Sequence, residues 1–119
     1  MWFENKNGTI KKHPIDYVKE VTAWPSDPSS CITAGDIDGV GDVDIVLAWG
    51  ALIWYDNDGN ATQFNKHSIS SQFNAYTVHL DDCDGDMDID ILTSSLFEVV
   101  MHQALGNASF TEHLILITR

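Results

Sequence analysis

Two stretches of this chain crowd carboxylates together with nothing nearby to neutralise them. Asp36-Ile37-Asp38-Gly39-Val40-Gly41-Asp42-Val43-Asp44 and Asp82-Cys83-Asp84-Gly85-Asp86-Met87-Asp88-Ile89-Asp90 set aspartates at alternate positions, and neither loop contains a Lys or Arg. Carboxylates so close repel one another, so a divalent cation is the missing charge. Alternating hard oxygens, with glycine permitting a sharp backbone wrap, suit calcium, which takes roughly six to eight oxygens at ~2.4 Å. The pattern predicts side-chain ligands from Asp36, Asp38 and Asp44 in the first loop and from Asp82, Asp84, Asp86 and Asp90 in the second. Backbone carbonyls of Asp42 and Asp88 would join them, giving one calcium per loop and two in all.

The alternatives are weaker. Two solvated acidic turns would have no reason to be duplicated, yet the loops superimpose without a gap at an offset of 82 − 36 = 46 residues. An EF-hand needs glycine at the sixth place and glutamate at the twelfth. The first loop has Gly41 but Leu47, the second has Met87 and Thr93, and apolar β-type runs follow both.

The elements that position these loops follow from the same repeat. The offset carries Phe64-Asn65-Lys66-His67 onto Phe110-Thr111-Glu112-His113. A partial third copy opens the chain, where Trp2-Phe3-Glu4-Asn5 matches Trp54-Tyr55-Asp56-Asn57 and Lys12-His13-Pro14-Ile15 matches Lys66-His67-Ser68-Ile69. Each full repeat reads as four strands: 31–36, 44–49, 51–56 and about 63–69, then 75–80, 89–94, 97–102 and 109–117. Asp58-Gly59 and Gly106-Asn107 supply the left-handed positions of tight hairpins. Strands near 1–4 and 9–15 precede them, an insertion at Val21–Ser30 carries Trp24-Pro25-Ser26-Asp27-Pro28, and no window shows helical periodicity. The expected fold is all-β, a single repeat-built domain over 1–119 with a partial unit at about 1–16 and full units at about 31–70 and 75–117.

Composition narrows the function classes. Eighteen acidic residues against six basic ones leave a net charge of −12, which repels nucleic acid and anionic membrane. No apolar run nears the ~20 residues that span a bilayer, and the first residues lack a basic start followed by an apolar stretch. Cys31 and Cys83 fit neither a disulfide framework nor a zinc site and read as buried small residues.

The first acidic loop with Ile45-Val46, the Trp54-Tyr55-Asp56-Asn57-Asp58-Gly59-Asn60 segment and the closing Phe64-Asn65-Lys66-His67-Ser68-Ile69 resemble FG-GAP/VCBS repeats, the blades of integrin alpha-type β-propellers. The resemblance covers nearly the whole chain. It implies about two and a half four-stranded propeller-type blades, with calcium between the first and second strands of each. Val40 stands where that family usually has Asp or Asn, and Met87 where it usually has Gly. Val100-Met101-His102-Gln103 stands where an aromatic segment is expected.

Two and a half blades cannot close a propeller of typically four to eight. The partners expected are therefore other copies of the chain or the rest of a longer propeller. Met1 opening at one aromatic strand and Arg119 following the last favours copies, and the apolar Leu114–Ile117 run would be an edge that invites pairing. The function expected is a calcium-binding module for adhesion, for a protein or glycan ligand, or for self-assembly, without catalysis of its own. Part of a secreted carbohydrate-active enzyme is the alternative, weakened because Glu4, Glu20, Glu98 and Glu112 form no visible pair. Loops of this kind imply millimolar calcium, hence an extracellular or periplasmic setting. His13, His67 and His113 recur at one repeat position and read as packing residues; His79 and His102 have no Cys or Glu at metal-ligand spacing. Trp2, Trp49, Trp54 and Tyr55 offer a sugar platform but read first as packing. Asn7-Gly8-Thr9, Asn60-Ala61-Thr62 and Asn107-Ala108-Ser109 are glycosylation sequons in turns that favour Asn for conformational reasons.

Overall fold

Alternation of apolar and polar residues, punctuated by glycine turns, produces strands throughout this chain. The structure is a computed structural model and describes residues 1–15, 31–48, 51–70, 75–95, 97–106 and 109–117. The insertion at Val21–Ser30 and Trp49 lie outside them. The described residues are all-β, with ten strands: β1 (Trp2–Lys6), β2 (Thr9–His13), β3 (Cys31–Gly35), β4 (Asp44–Ala48), β5 (Leu52–Asn57), β6 (Phe64–Ser70), β7 (Thr77–Asp81), β8 (Asp90–Ser94), β9 (Glu98–Ala104) and β10 (Phe110–Ile117). Each expected strand is present, its ends displaced by no more than two residues.

The strands form a β1–β2 hairpin and two antiparallel four-stranded sheets, ordered β3-β4-β5-β6 (the middle sheet) and β10-β9-β8-β7 (the C-terminal sheet). Both sheets are meanders in sequence order, so each acidic loop joins the first strand of its sheet to the second. Gly8, Gly59 and Gly106 take φ of 81°, 92° and 80° in the three hairpin turns, which an L side chain resists. Asn7 takes a positive φ of 53°, as expected of Asn in such a turn, whereas in the second sequon the left-handed residue is Ala61, at 54°, and not Asn60.

The core lies between the two large sheets. Val46, Ala48, Leu52 and Trp54 face Val78, Ile91 and Val100, all less than a tenth exposed, and Ile37 from the first loop joins them. Trp54 meets Phe110 edge-on at 6.4 Å between ring centroids. Burying side chains of this size contributes about 1.5–3 kcal/mol each. At Gly35 the sheets come so close that a Cβ would lie 2.8 Å from Leu80 Cδ1, so a larger residue there would make the end of the Leu80 side chain shift.

Register corrects one alignment. In the middle sheet Ile45 pairs with Tyr55 and Val46 with Trp54; in the C-terminal sheet Ile91 pairs with His102 and Leu92 with Met101. Met101, not Val100, therefore occupies the place of Trp54, an offset of 101 − 54 = 47, because one extra residue is taken up between β8 and β9. The four-residue match at Val100–Gln103 hid this because neither frame keeps an aromatic. The cysteines correct a second expectation. Both are free thiols, but Cys31 is only half-buried and Cys83 is exposed. Cys83 occupies the loop position of Ile37, which is 5% exposed because the C-terminal sheet covers it; no described strand covers Cys83 in the same way.

Candidate metal centre

The two loops share the same main hydrogen bonds. In the first, Gly39 N and Gly41 N donate to the two carboxylate oxygens of Asp36 at 2.9 and 3.0 Å, and Val40 N donates to Asp38 at 3.2 Å. In the second, Gly85 N and Met87 N donate to Asp82, both at 2.9 Å, and Asp86 N donates to Asp84 at 3.1 Å. The last aspartate of each loop acts differently. Asp44 is fully buried and accepts from Ile37 N at 3.0 Å and Asn57 N at 2.9 Å; Asp90, equally buried, accepts from Cys83 N at 2.9 Å and Ala104 N at 2.8 Å. Each latches the start of its loop to the end of the third strand.

These bonds fold the loops so that carboxylates converge. Asp36, Asp38 and Asp44 each present one oxygen within 4.8 Å of the others, and Asp82, Asp84 and Asp86 do the same. Two oxygens on opposite sides of a calcium ion at ~2.4 Å stand at most ~4.8 Å apart, so either group suits a single ion of that size. No family model, curated protein or solved structure matches this chain. The chemistry of the site therefore has to be read from its own residues.

The donor set is all carboxylate, hard and anionic, which suits calcium, magnesium or manganese better than metals that prefer nitrogen or sulfur. Among the expected side-chain ligands, the first loop brings all three together, and the second brings Asp82, Asp84 and Asp86 together while Asp90 stays in its latch. Asp42 and Asp88, expected to contribute carbonyls, turn their side chains toward the hairpin turns: a Cβ at Gly59 would lie 3.0 Å from Asp42 Oδ2, and one at Gly106 3.3 Å from Asp88 Oδ2. Asp36, Ile37 and Gly39 face Met87, Asp88 and Ile89 across a cleft of ≈ 270 Å³, so the two loops are neighbours.

Charge in the loops is under strain. Burial, with the neighbouring carboxylates, pushes Asp38 up, and burial pushes Asp44 up against the backbone bonds that favour its charge. In the second loop desolvation opposes the charge of Asp84, but hydrogen bonds from Asp86 and Gln103 outweigh it and hold this carboxyl low. Asp88 N–H favours the charge on Asp86, yet desolvation and the adjacent Asp84 outweigh that and push it up. A bound cation would reverse every upward push.

Sequence reading missed what the third strand contributes to the loops. Gln103 Nε2 donates to Asp84 Oδ2 at 2.7 Å, and Asp56, at the matching place in β5, acts on Asp38 and Asp44 through its charge. The recurring histidines, read as packing residues, do stack at two of the three places, but their polar partners were missed. His13 stacks on Trp2 at 4.4 Å and meets Glu4 at 3.0 Å; His67 stacks on Trp54 at 4.6 Å and meets Asp56 at 3.6 Å; His113 meets Gln103 at 2.8 Å. The signal was present in the sequence as Glu4, Asp56 and Gln103, each two residues past the stacking position. Trp54 and Tyr55, at 1% and 6% exposure, are core residues and offer no sugar a surface.

Proposed function

We propose that this chain is a calcium-stiffened, β-propeller-type repeat module of the FG-GAP/VCBS kind, serving binding, adhesion or assembly in an extracellular or periplasmic setting. The observation that carries this reading is the duplicated loop: the same three hydrogen bonds recur in both loops and fold two carboxylate triads, each between the first and second strands of a four-stranded sheet. A loop needs that much internal wiring only if its carboxylates must stay together against their repulsion. An ion there would tie the two strands and, in the middle sheet through Asp44, the third strand of the same sheet. Stiffening is the function such a site can perform without a substrate.

Two features support a partner built from similar sheets. β10 is an edge strand whose Leu114, Ile115, Leu116 and Ile117 are each about half exposed, and an apolar edge of this length favours pairing. Val78 is 8% exposed between the two large sheets, whereas Ile32, its repeat equivalent on the far face of the middle sheet, is 60% exposed. Further blades, from other copies or from a longer chain, would cover such positions. A protein or glycan ligand would bind the assembled surface.

Calorimetric titration tests the reading directly. Two calcium ions should bind per chain, and the unfolding temperature should rise with calcium and fall with chelator. Binding of no ion at millimolar calcium would remove its foundation.

A further inference from the structure

The β1–β2 hairpin has the register of β5 and β6 without the two strands that precede them. Trp2 pairs with His13 as Trp54 pairs with His67, and Phe3 with Lys12 as Tyr55 with Lys66. The ring stack recurs too, at 4.4 Å in the hairpin and 4.6 Å in the middle sheet. β5, however, is an inner strand, paired with β4 on its other side, and β9 is likewise paired with β8. β1 has β2 alone, so one long edge of it is open among the described residues. The repeat tells what that edge offers. Asn57 N–H donates to Asp44 at 2.9 Å and Ala104 N–H to Asp90 at 2.8 Å; Asn5 is their equivalent, without such a latch among the described residues.

A second place lacks the same two strands. Val78 on β7 is 8% exposed because β3 and β4 of the preceding sheet lie against that strand, whereas its equivalent on β3, Ile32, is 60% exposed. Charge fits as well. The hairpin holds Lys6, Lys11 and Lys12, three of the six basic residues in a chain of net charge −12. Lys6 takes the place of Asp58, beside the turn that an incoming acidic loop would meet as Asp42 meets Gly59. We propose that the open edge of β1 docks a partner segment with the chemistry of residues 31–48: two apolar strands joined by an aspartate loop, the second strand antiparallel to β1 and the loop's last aspartate accepting from Asn5 N–H. The inference rests on the repeat reading above and gives it a partner and a place. A second copy has no such strand pair to spare, since β3–β4 and β7–β8 already lie in complete sheets, and residues 16–30 carry no aspartate loop. In strand addition of this kind main-chain hydrogen bonds supply affinity and the side chains supply the choice of partner.

The probe is a synthetic peptide of residues 31–48 added to the full chain. Fluorescence anisotropy should show saturable binding of one peptide per chain, and amide exchange at Phe3 and Asn5, which face the same edge, should slow by about tenfold or more while β9 is unchanged. Phe3→Pro takes an N–H from the open edge and none from the β2 ladder, so it should keep the hairpin and weaken binding by about tenfold or more. Lys6→Glu, a surface change, should weaken binding and remove its salt dependence, and an Asp44→Asn peptide should bind less well than the parent peptide. Equal binding by the parent and both variants, or protection confined to β10, would mean that the peptide adds to any apolar edge and would overturn the proposal. So would no binding, or a dimer of the chain alone that is lost in Phe3→Pro, which would give the edge to a second copy. Peptide binding at β1 by a chain that binds no calcium would sink the calcium reading and support this one; calcium binding without peptide binding would sink this one alone.

Discussion

Met87 is the place where the second loop works against its own backbone, and replacing it with glycine should stabilise the protein. Its φ is 75°, its side chain is 92% exposed, and its N–H is committed to Asp82 at 2.9 Å, so the conformation is imposed by the loop and repaid by no packing. A non-glycine residue in the left-handed region costs about 1–2 kcal/mol. Glycine gives back about 0.4–1 kcal/mol through the greater freedom of the unfolded chain. The net gain for Met87→Gly is therefore about 0.5–1 kcal/mol, or roughly 2–6 °C in unfolding temperature for a chain of this size. Gly41, at φ 97° in the same place of the first loop, provides the reverse test, since Gly41→Ala meets no atom within 4 Å and should lose a similar amount. Urea titrations in saturating calcium, with unchanged m-values, measure both. A destabilised Met87→Gly, or a stabilised Gly41→Ala, would show that strain does not govern this turn.

Three further outcomes follow from the site. Asp86→Ala should weaken the second calcium site by about tenfold or more, ~1.4 kcal/mol, outweighing the gain from Met87→Gly, while Val40→Asp at a 66% exposed position should tighten the first site; calorimetric titration reads both. Asp90→Asn should cost about 1–3 kcal/mol even in chelator, because an amide cannot accept from both Cys83 N and Ala104 N without placing its own NH₂ against one of them, and urea unfolding without calcium will show it. Burial pushes the His102 imidazole below its usual pKa, with Glu112 pulling partly the other way, so the unfolded chain binds its proton first as pH falls. His102 therefore contributes stability fully above about pH 6.5 and loses it as pH falls through the folded value; in chelator, His102→Gln should flatten that decline.

The strands and loops were legible because their causes are local. Glycine at Gly59 and Gly106, alternating apolar residues and alternating aspartates each act within a few positions, and the gapless repeat at 46 residues doubled every signal. What escaped the sequence depends on neighbours across the sheet. The shift that puts Met101 opposite Leu92 follows from one residue absorbed between strands, which leaves no mark once the aromatic is lost. Cys83 read as buried because it fits neither a disulfide framework nor a zinc site, yet even its apolar twin Ile37 is buried only by an adjoining sheet that a single repeat cannot announce. Asp56 and Gln103 lie 56 − 44 = 12 and 103 − 90 = 13 residues beyond the last aspartates of their loops, and only register shows how they stand to them.

The buried latches explain why ion binding in so exposed a loop would matter to the sheet. Asp44 and Asp90 each hold two backbone N–H groups, one at the loop's start and one at the third strand's end, and both are fully buried. Asp44 is also in the converging triad, so one carboxylate stands at once in the ion's reach and in the sheet's hydrogen bonding. Its desolvation is tolerable only while the loop keeps its shape, and the loop keeps its shape only while its other carboxylates are held together. An ion would therefore act on the middle sheet through a rigid, buried oxygen pair. In the C-terminal sheet, where Asp86 joins the triad instead of Asp90, the ion and the latch are separate groups, so loss of calcium should be felt less in β9 than in β5.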